Sequence, residues 1–342
     1  MSASTDPAAR APRTSLDRAL RPGLAAFQAP VLWTSVWQIV STASLYMVLL
    51  AAMYALPAWC GIFLAIPAGG LLVRLFIIQH DCGHGSFFQS RRANDMLGWC
   101  CSLLTVTPYA NWRFQHAHHH ATWNNLDRRT GWSDIYSNCL TVAEYRALSP
   151  FHRLVHRVTL HPIVAQLLLP PIVFLILFRW PFDTPMRTNK ERFSVLRTNL
   201  ALCAVYGGLA LWLGVLPVVL VQGSTIAVAS IIGVWMFSIQ HRFEDAVWAR
   251  QEKWNAPEAA LLGSSFLRLP AVLQWFTGSI GYHHLHHLAP RIPNYRLEAC
   301  QRAFASLLPT DNVLTIRQAL SAARYTLWDE TSGRMVRFRD AA

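Results

Sequence analysis

Between Pro22 and Val73 the chain carries no charged side chain, and a second charge-free run covers Thr198–His241. Each run is long enough for two membrane spans of about 20 residues. Leu56-Pro57-Ala58 interrupts the first, which predicts spans over Leu32–Tyr54 and Ala58–Ile78. In the second run the polar triplet Gln222-Gly223-Ser224 is the expected break. The pattern predicts an all-α integral membrane fold, with four transmembrane helices in two hairpins.

Neither predicted turn contains Lys or Arg, whereas the outer flanks hold Arg21, Arg74, Arg91, Arg92, Arg197 and Arg242. The positive-inside rule then puts both termini and every histidine-bearing segment in the cytosol. Two further apolar stretches are expected not to cross. Met96–Tyr109 is too short. Val158–Phe178 contains Pro162, Pro170 and Pro171, lies between Arg157 and Arg179, and reads as interfacial or re-entrant. Leu261–Tyr282, interrupted by Arg268 and Pro270, is expected to lie on the membrane as an amphipathic element. Three regions follow: a mobile basic tail over 1–29, a membrane domain over 30–300, and a cytosolic helical tail over 301–342. The tail has no short apolar core before a small-residue site, which argues against a cleaved signal peptide.

Composition agrees. Of 342 residues 53% are hydrophobic and 14% charged, against about a quarter charged in soluble domains. The net charge is +12, and Lys190 and Lys253 are the only lysines. A nucleic-acid binder would not carry so much apolar sequence. Anionic headgroups suit the arginines, because guanidinium binds phosphate in a fork. An acidic protein partner suits the same face.

Of 14 histidines, most gather at the predicted ends of these segments. His80 and His84 are spaced i, i+4 after the second span, so a continuing helix presents both on one face. His116, His119 and His120 give i, i+3, i+4, and His283, His286 and His287 repeat it. His241 closes the last span. A single histidine is usually a satisfied polar side chain; three clusters at ligand spacing on one membrane face are not. One tetrahedral ion takes four ligands, so nine imidazoles imply two metals. Imidazole suits iron, copper, nickel and zinc alike. His118 and His284 sit off the shared faces. His152 and His156 read as a headgroup-facing pair, and His161, before Pro162, as structural. Asp81, Asp127 and Glu244 are candidates to orient ligand rings.

These residues stand in HDCGH, WRFQHAHHHATWNNLDRR, IQHRFED, GSSFLRLP and LQWFTGSIGYHHLHHLAPRIPNYRL. The set resembles the membrane fatty acid desaturases, and within them the bacterial acyl-lipid branch. The likeness runs from about residue 30 to residue 300. It implies a four-span core whose cytosolic helical cap holds a non-haem di-iron centre, in a bacterial inner membrane. By resemblance the metal ligands are His80, His84, His116, His119, His120, His241, His283, His286 and His287.

The chemistry so implied places a cis double bond in the acyl chains of membrane glycerolipids. No protein acid or base deprotonates an unactivated methylene, so two irons and dioxygen carry the hard step. An apolar tunnel between the spans is expected to hold the acyl chain. The chain has no CxxC pair, no GxGxxG and no HPGG, so electrons are expected from a separate ferredoxin or cytochrome b5-type donor. A lipid or alkane hydroxylase would use a similar site. A metal transporter would place its ligands near the bilayer midplane, and a metal-sensing membrane protein would need no tunnel.

Overall fold

The computed structural model describes residues 22–130, 136, 138–181 and 189–341. Among the described residues four single helices are long and apolar enough to cross a membrane: α1 (Leu32–Ala55), α2 (Ala58–His84), α8 (Asn189–Leu213) and α9 (Val215–His241). α2 packs against both α1 and α9 and is the most buried of the four. Helices satisfy their own backbone polar groups, which is what allows them to stand in hydrocarbon. Their outer faces expose Trp33, Trp37, Val48, Phe63, Leu211 and Trp212, as a lipid-facing surface does.

The first break falls where expected, at Leu56-Pro57, because Pro57 cannot continue α1. The second does not. Gln222, Gly223 and Ser224 lie inside a continuous α9, and the chain turns at Gly214 instead. Gly214 has φ +88°, open to glycine alone at low cost. Pro217 then occupies the first turn of α9, where its missing N–H leaves no bond unmade. The triplet stays helical because its polar groups find partners: Gln222 Nε2 donates to Tyr54 Oη at 3.1 Å and Ser224 Oγ to Val221 O. α8 correspondingly begins at Asn189, two turns before the charge-free run.

Short helices connect these spans. α3 (Arg91–Leu104) starts at a Ser90 cap, and α4 (Tyr109–Thr122) carries the central histidine cluster. A two-residue strand β1 (Leu140–Thr141) leads into α5 (Val142–Ala147) and then the amphipathic α6 (Pro150–Thr159). α6 exposes Phe151, Leu154, Val155 and Val158. It meets Val164–Arg179 at a bend of 53°. That second limb opens with a π-helical turn, Val164–Leu168, and continues as α7 (Leu169–Leu175).

Leu261–Tyr282 is not one amphipathic element. α10 (Ala256–Gly263), strand β2 (Phe266–Leu267) and α11 (Ala271–Phe276) divide it. Leu261, Leu262, Leu267 and Ile280 are buried; Val272, Leu273 and Trp275 face outward. Arg74 of α2 ties α11 down, donating to Thr42 Oγ1 and Trp275 O and lying 4.3 Å over the Trp275 ring. α12 (His283–Leu288) and α13 (Asn294–Ala303) complete the part that bears the site.

The C-terminal region differs from the helical tail expected. Its described residues hold α14 (Ile316–Ala322), strands β3 (Val313–Leu314), β4 (Leu327–Asp329) and β5 (Arg334–Val336), and a 3₁₀ turn at Phe338–Asp340. β3 pairs in parallel with β2, and β4 pairs with β1 and β5, so this region is stitched to the body. The expected N-terminal tail lies outside the described residues up to Arg21. Its last part is anchored: Leu24 is buried with Leu261 and Leu285, and Arg296 Nη1 donates to Ala26 O at 2.9 Å.

Candidate metal centre

α2 continues as helix through His84, so the i, i+4 spacing does place His80 and His84 on one face. α4 runs beside it, and the close approach is set at Gly83, where a Cβ would meet the Trp112 ring at 3.0 Å. Trp112 lies flat on His116, with ring centroids 4.8 Å apart and planes 15° apart. α12 brings in the third cluster, and His241 arrives as the last residue of α9.

The imidazoles separate into two groups. His80, His84, His116, His120 and His286 have ligand nitrogens within 4.8 Å of one another, as do His119, His241 and His287. In the first group the Nε2 atoms of His84 and His116 are 3.0 Å apart, those of His116 and His120 3.1 Å, and those of His120 and His286 3.0 Å. His283 joins the second group, with its Nε2 3.0 Å from that of His241 and 3.1 Å from that of His287. His119 Nε2 closes a ring of four at 3.2 Å from His241 and 3.4 Å from His287. All nine expected residues are therefore together.

The spacing fits metal ions. Two nitrogens about 2.1 Å from one ion lie about 3.0 Å apart at a right angle and about 3.4 Å apart at the tetrahedral angle. The ring of four makes the same point through protons. Each neutral Nε2 is either a donor of one proton or an acceptor with one lone pair, so at most two of the ring's four contacts are linear hydrogen bonds. A cation at the centre turns the remaining lone pairs from repulsive to attractive. Burial pushes His116, His120, His283, His286 and His287 below the ordinary imidazole value, with the neighbouring imidazoles adding to it. Neutral rings are the ligand form.

Asp81 is the one suggested orienting carboxylate that reaches a ring, its Oδ1 3.2 Å from His80 Nδ1. Asp127 instead accepts from Arg250 and Gln251 N, and Glu244 from Tyr325 Oη. Sequence reading missed the other half of the Asp81 arrangement: Asn294 donates to Oδ2 through both its backbone N and its Nδ2. Trp123 was also missed; it covers His241 at a ring distance of 3.8 Å and donates to Gly263 O. His118 turns to Thr122, and buried His284 lies against Phe266, outside both groups. His152 is exposed on α6 and His161 accepts from Ile163 N.

A cavity of about 170 Å³ opens from the first group between α2, α4, α7 and α9. Val73, Ile77, Phe174, Val234, Met236 and Phe237 make its walls, and His80, His116 and His283 stand at its edge. An apolar space ending on imidazole nitrogens could bring hydrocarbon against a metal held by those nitrogens.

Fold and site define a membrane-spanning protein with a buried cage of histidines that could hold metal ions. A family model described as "Fatty acid desaturase" matches residues 55–319. The chain is 43% identical over 278 residues to a "Fatty acid desaturase" of Bacillus subtilis (strain 168), covering 81% of this chain and 77% of that protein. It is 28% identical to an "sn-1 oleoyl-lipid 12-desaturase" of Picosynechococcus over 74% of this chain and 72% of that one. It is 27% identical to an "sn-1 acyl-lipid omega-3 desaturase (ferredoxin)" of Synechocystis over 76% and 73%. The chain belongs to the fatty acid desaturase family, and is an oxidoreductase of the membrane.

Proposed function

We propose that this desaturase acts on acyl chains of membrane glycerolipids, with its two groups of histidines each holding one iron. The observation that carries the reading is the apolar cavity ending on His80, His116 and His283, with both groups of converging Nε2 atoms behind it. The relatives named for lipid-linked substrates support the acyl-lipid class.

His80, His84, His116, His120 and His286 would hold one ion, and His119, His241, His283 and His287 the other. When bound, the irons supply the activation of dioxygen that an unactivated C–H bond requires. The balance is one methylene pair, dioxygen, two electrons and two protons giving a double bond and two waters. The residues of this chain fix the reacting bond. Val73, Phe174, Val234 and Phe237 exclude water and hold the alkyl chain straight against the cage. Asp81 keeps the His80 proton on Nδ1, leaving Nε2 free.

Electrons come from a separate donor in this reading, of ferredoxin or cytochrome b5 type; the Synechocystis relative's name includes ferredoxin. The centre and both termini face the cytosol, α1 with α2 and α8 with α9 form two hairpins, and the bent α6–α7 element lies in the cytosolic interface without crossing. The test is a lipid profile with double bonds located by mass spectrometry. A host expressing the intact chain with a matched donor gains an unsaturated acyl chain that the His119→Ala variant does not produce. A hydroxylated chain would move the reading to a hydroxylase, and no bound iron would end it.

A further inference from the structure

A second cavity, of about 630 Å³, lies beside the first and shares Tyr136 with it. The α7 limb lines both, turning Phe174 and Phe178 to the acyl cavity and Leu169, Val173 and Leu177 to the second. The far wall is basic. Arg129, His156 and Arg242 line it, and no Asp or Glu does among the described residues.

The two arginines differ. Arg129 is already used: it forks onto Glu144 and donates to Leu126 O and Cys139 O. Arg242 is 2% exposed, and among the described residues its guanidinium engages only Ser238 Oγ, through Nη2, with Nε and Nη1 unpartnered there. Tyr136 Oη and His156 Nε2 are likewise buried and unpartnered. Buried polar groups are nearly always paired, and a buried guanidinium without a counter-charge is costly. Three such groups around one cavity suit a single anion with several acceptor oxygens. Guanidinium matches phosphate in geometry as well as charge.

The surroundings say what carries that anion. Arg242 directly follows the last residue of α9, at the edge of a membrane-spanning helix, which is headgroup depth. The other wall is apolar, and the α7 limb and Tyr136 that form it also line the acyl cavity. The ligand therefore has a phosphate end and a hydrocarbon end. We propose that this cavity seats the headgroup phosphate of a glycerolipid whose acyl chain enters the first cavity, with Arg242 as the charge that positions it. This rests on the acyl-lipid reading and narrows it to phosphate-bearing lipids.

The full-length, iron-loaded protein in uncharged detergent is titrated with dipalmitoyl phosphatidylglycerol, with dipalmitoylglycerol, which has the same chains and no phosphate, and with inorganic phosphate. Binding is read from the rise in Tm. Phosphatidylglycerol is expected to bind most tightly. Arg242→Gln is expected to weaken it by about tenfold or more while keeping iron and lipid-free Tm, with Arg242→Lys between the two. Equal binding of the two lipids to the intact protein overturns the proposal, and this comparison decides even where Arg242→Gln does not fold. Inorganic phosphate binding as tightly as the lipid overturns the headgroup assignment in favour of a free anion. A folded Arg242→Gln that binds phosphatidylglycerol unchanged also overturns it. New double bonds in cells alongside equal binding of both lipids would remove this site and leave the desaturase reading intact. Phosphate-dependent binding with no new double bond would do the reverse.

Discussion

Asp81 holds His80 with one carboxylate oxygen and Asn294 with the other. Oδ1 lies 3.2 Å from His80 Nδ1, and Oδ2 accepts from Asn294 N at 2.7 Å and Nδ2 at 2.8 Å. Gln38 Nε2 donates to Asn294 Oδ1 at 2.7 Å, so α1, α2 and α13 meet at one buried carboxylate. The ring that this arrangement orients is at the edge of the acyl cavity.

Asp81→Asn keeps the size and removes the charge that stabilises an imidazole bound to a cation. Iron affinity is expected to fall by about 10- to 100-fold, the range seen when such an outer carboxylate is lost. Equilibrium dialysis against a chelator series, followed by iron analysis per chain, checks this. Unchanged retention would mean that Asp81 serves only the link to Asn294.

His118 and His119 are adjacent in sequence and differently placed. His119 is wholly buried with its Nε2 in the ring of four, whereas His118 is half-buried beside Thr122. His119→Ala is expected to lose iron from that group and to lower double-bond formation more than about 100-fold. His118→Ala is expected to keep two irons, because its ring lies outside both groups. Equal iron loss in both variants would contradict the grouping.

The site was more legible than the path of the chain around it. Helical spacing alone puts His80 with His84 and His116 with His120, because i and i+4 share a face whatever the tertiary context. That these helices converge is not local, and the pairing of Asp81 with Asn294 spans 213 residues. The turn before α9 was misplaced because hydropathy is blind inside a charge-free run. The polar triplet at Gln222 stood out, yet Tyr54 and the helix's own carbonyls satisfy it. Gly214 followed by Pro217 was the better signal: a residue that tolerates positive φ, then one suited to a helix start. Strands of two or three residues such as β3 and β4 carry no periodicity to read, so the C-terminal region looked like a helical tail. Arg242 was counted as a flanking charge; only the cavity around it shows that its guanidinium is buried.

Acid should destabilise the metal-free protein. Burial holds His116, His120, His283, His286 and His287 below the ordinary imidazole value, and His284 at about 4. In the unfolded chain these rings titrate near about 6.5. Below that pH the unfolded chain takes up protons that the folded one refuses, so stability is complete above about pH 6.5 and is lost as pH falls. Each such group contributes up to about 1.4 kcal/mol per pH unit between its two values. Thermal melts of the metal-free protein from pH 8 to pH 5 should show Tm falling below about 6.5, less steeply for His284→Gln. A flat profile would mean that the rings take up protons equally in the folded and unfolded chain.

The acyl cavity can be tested with one substitution placed twice. Gly233 lines the cavity, and a Cβ built on it meets nothing within 4 Å, so its open side is the space assigned to hydrocarbon. Gly207 of α8 is equally unobstructed but exposed on the outer face, away from the cavity. Both glycines stand in spans, so replacing either by leucine changes helix propensity and hydropathy alike. Gly233→Leu should retain iron and fold while its product falls on the order of 100-fold or moves along the chain, because a displaced chain presents a different methylene pair to the cage. Gly207→Leu should leave the product unchanged. Double-bond positions in total lipids, measured for both variants at equal protein level, separate the outcomes. Products unaltered in both would place the acyl chain elsewhere, since a leucine side chain and the alkyl chain cannot occupy the same volume.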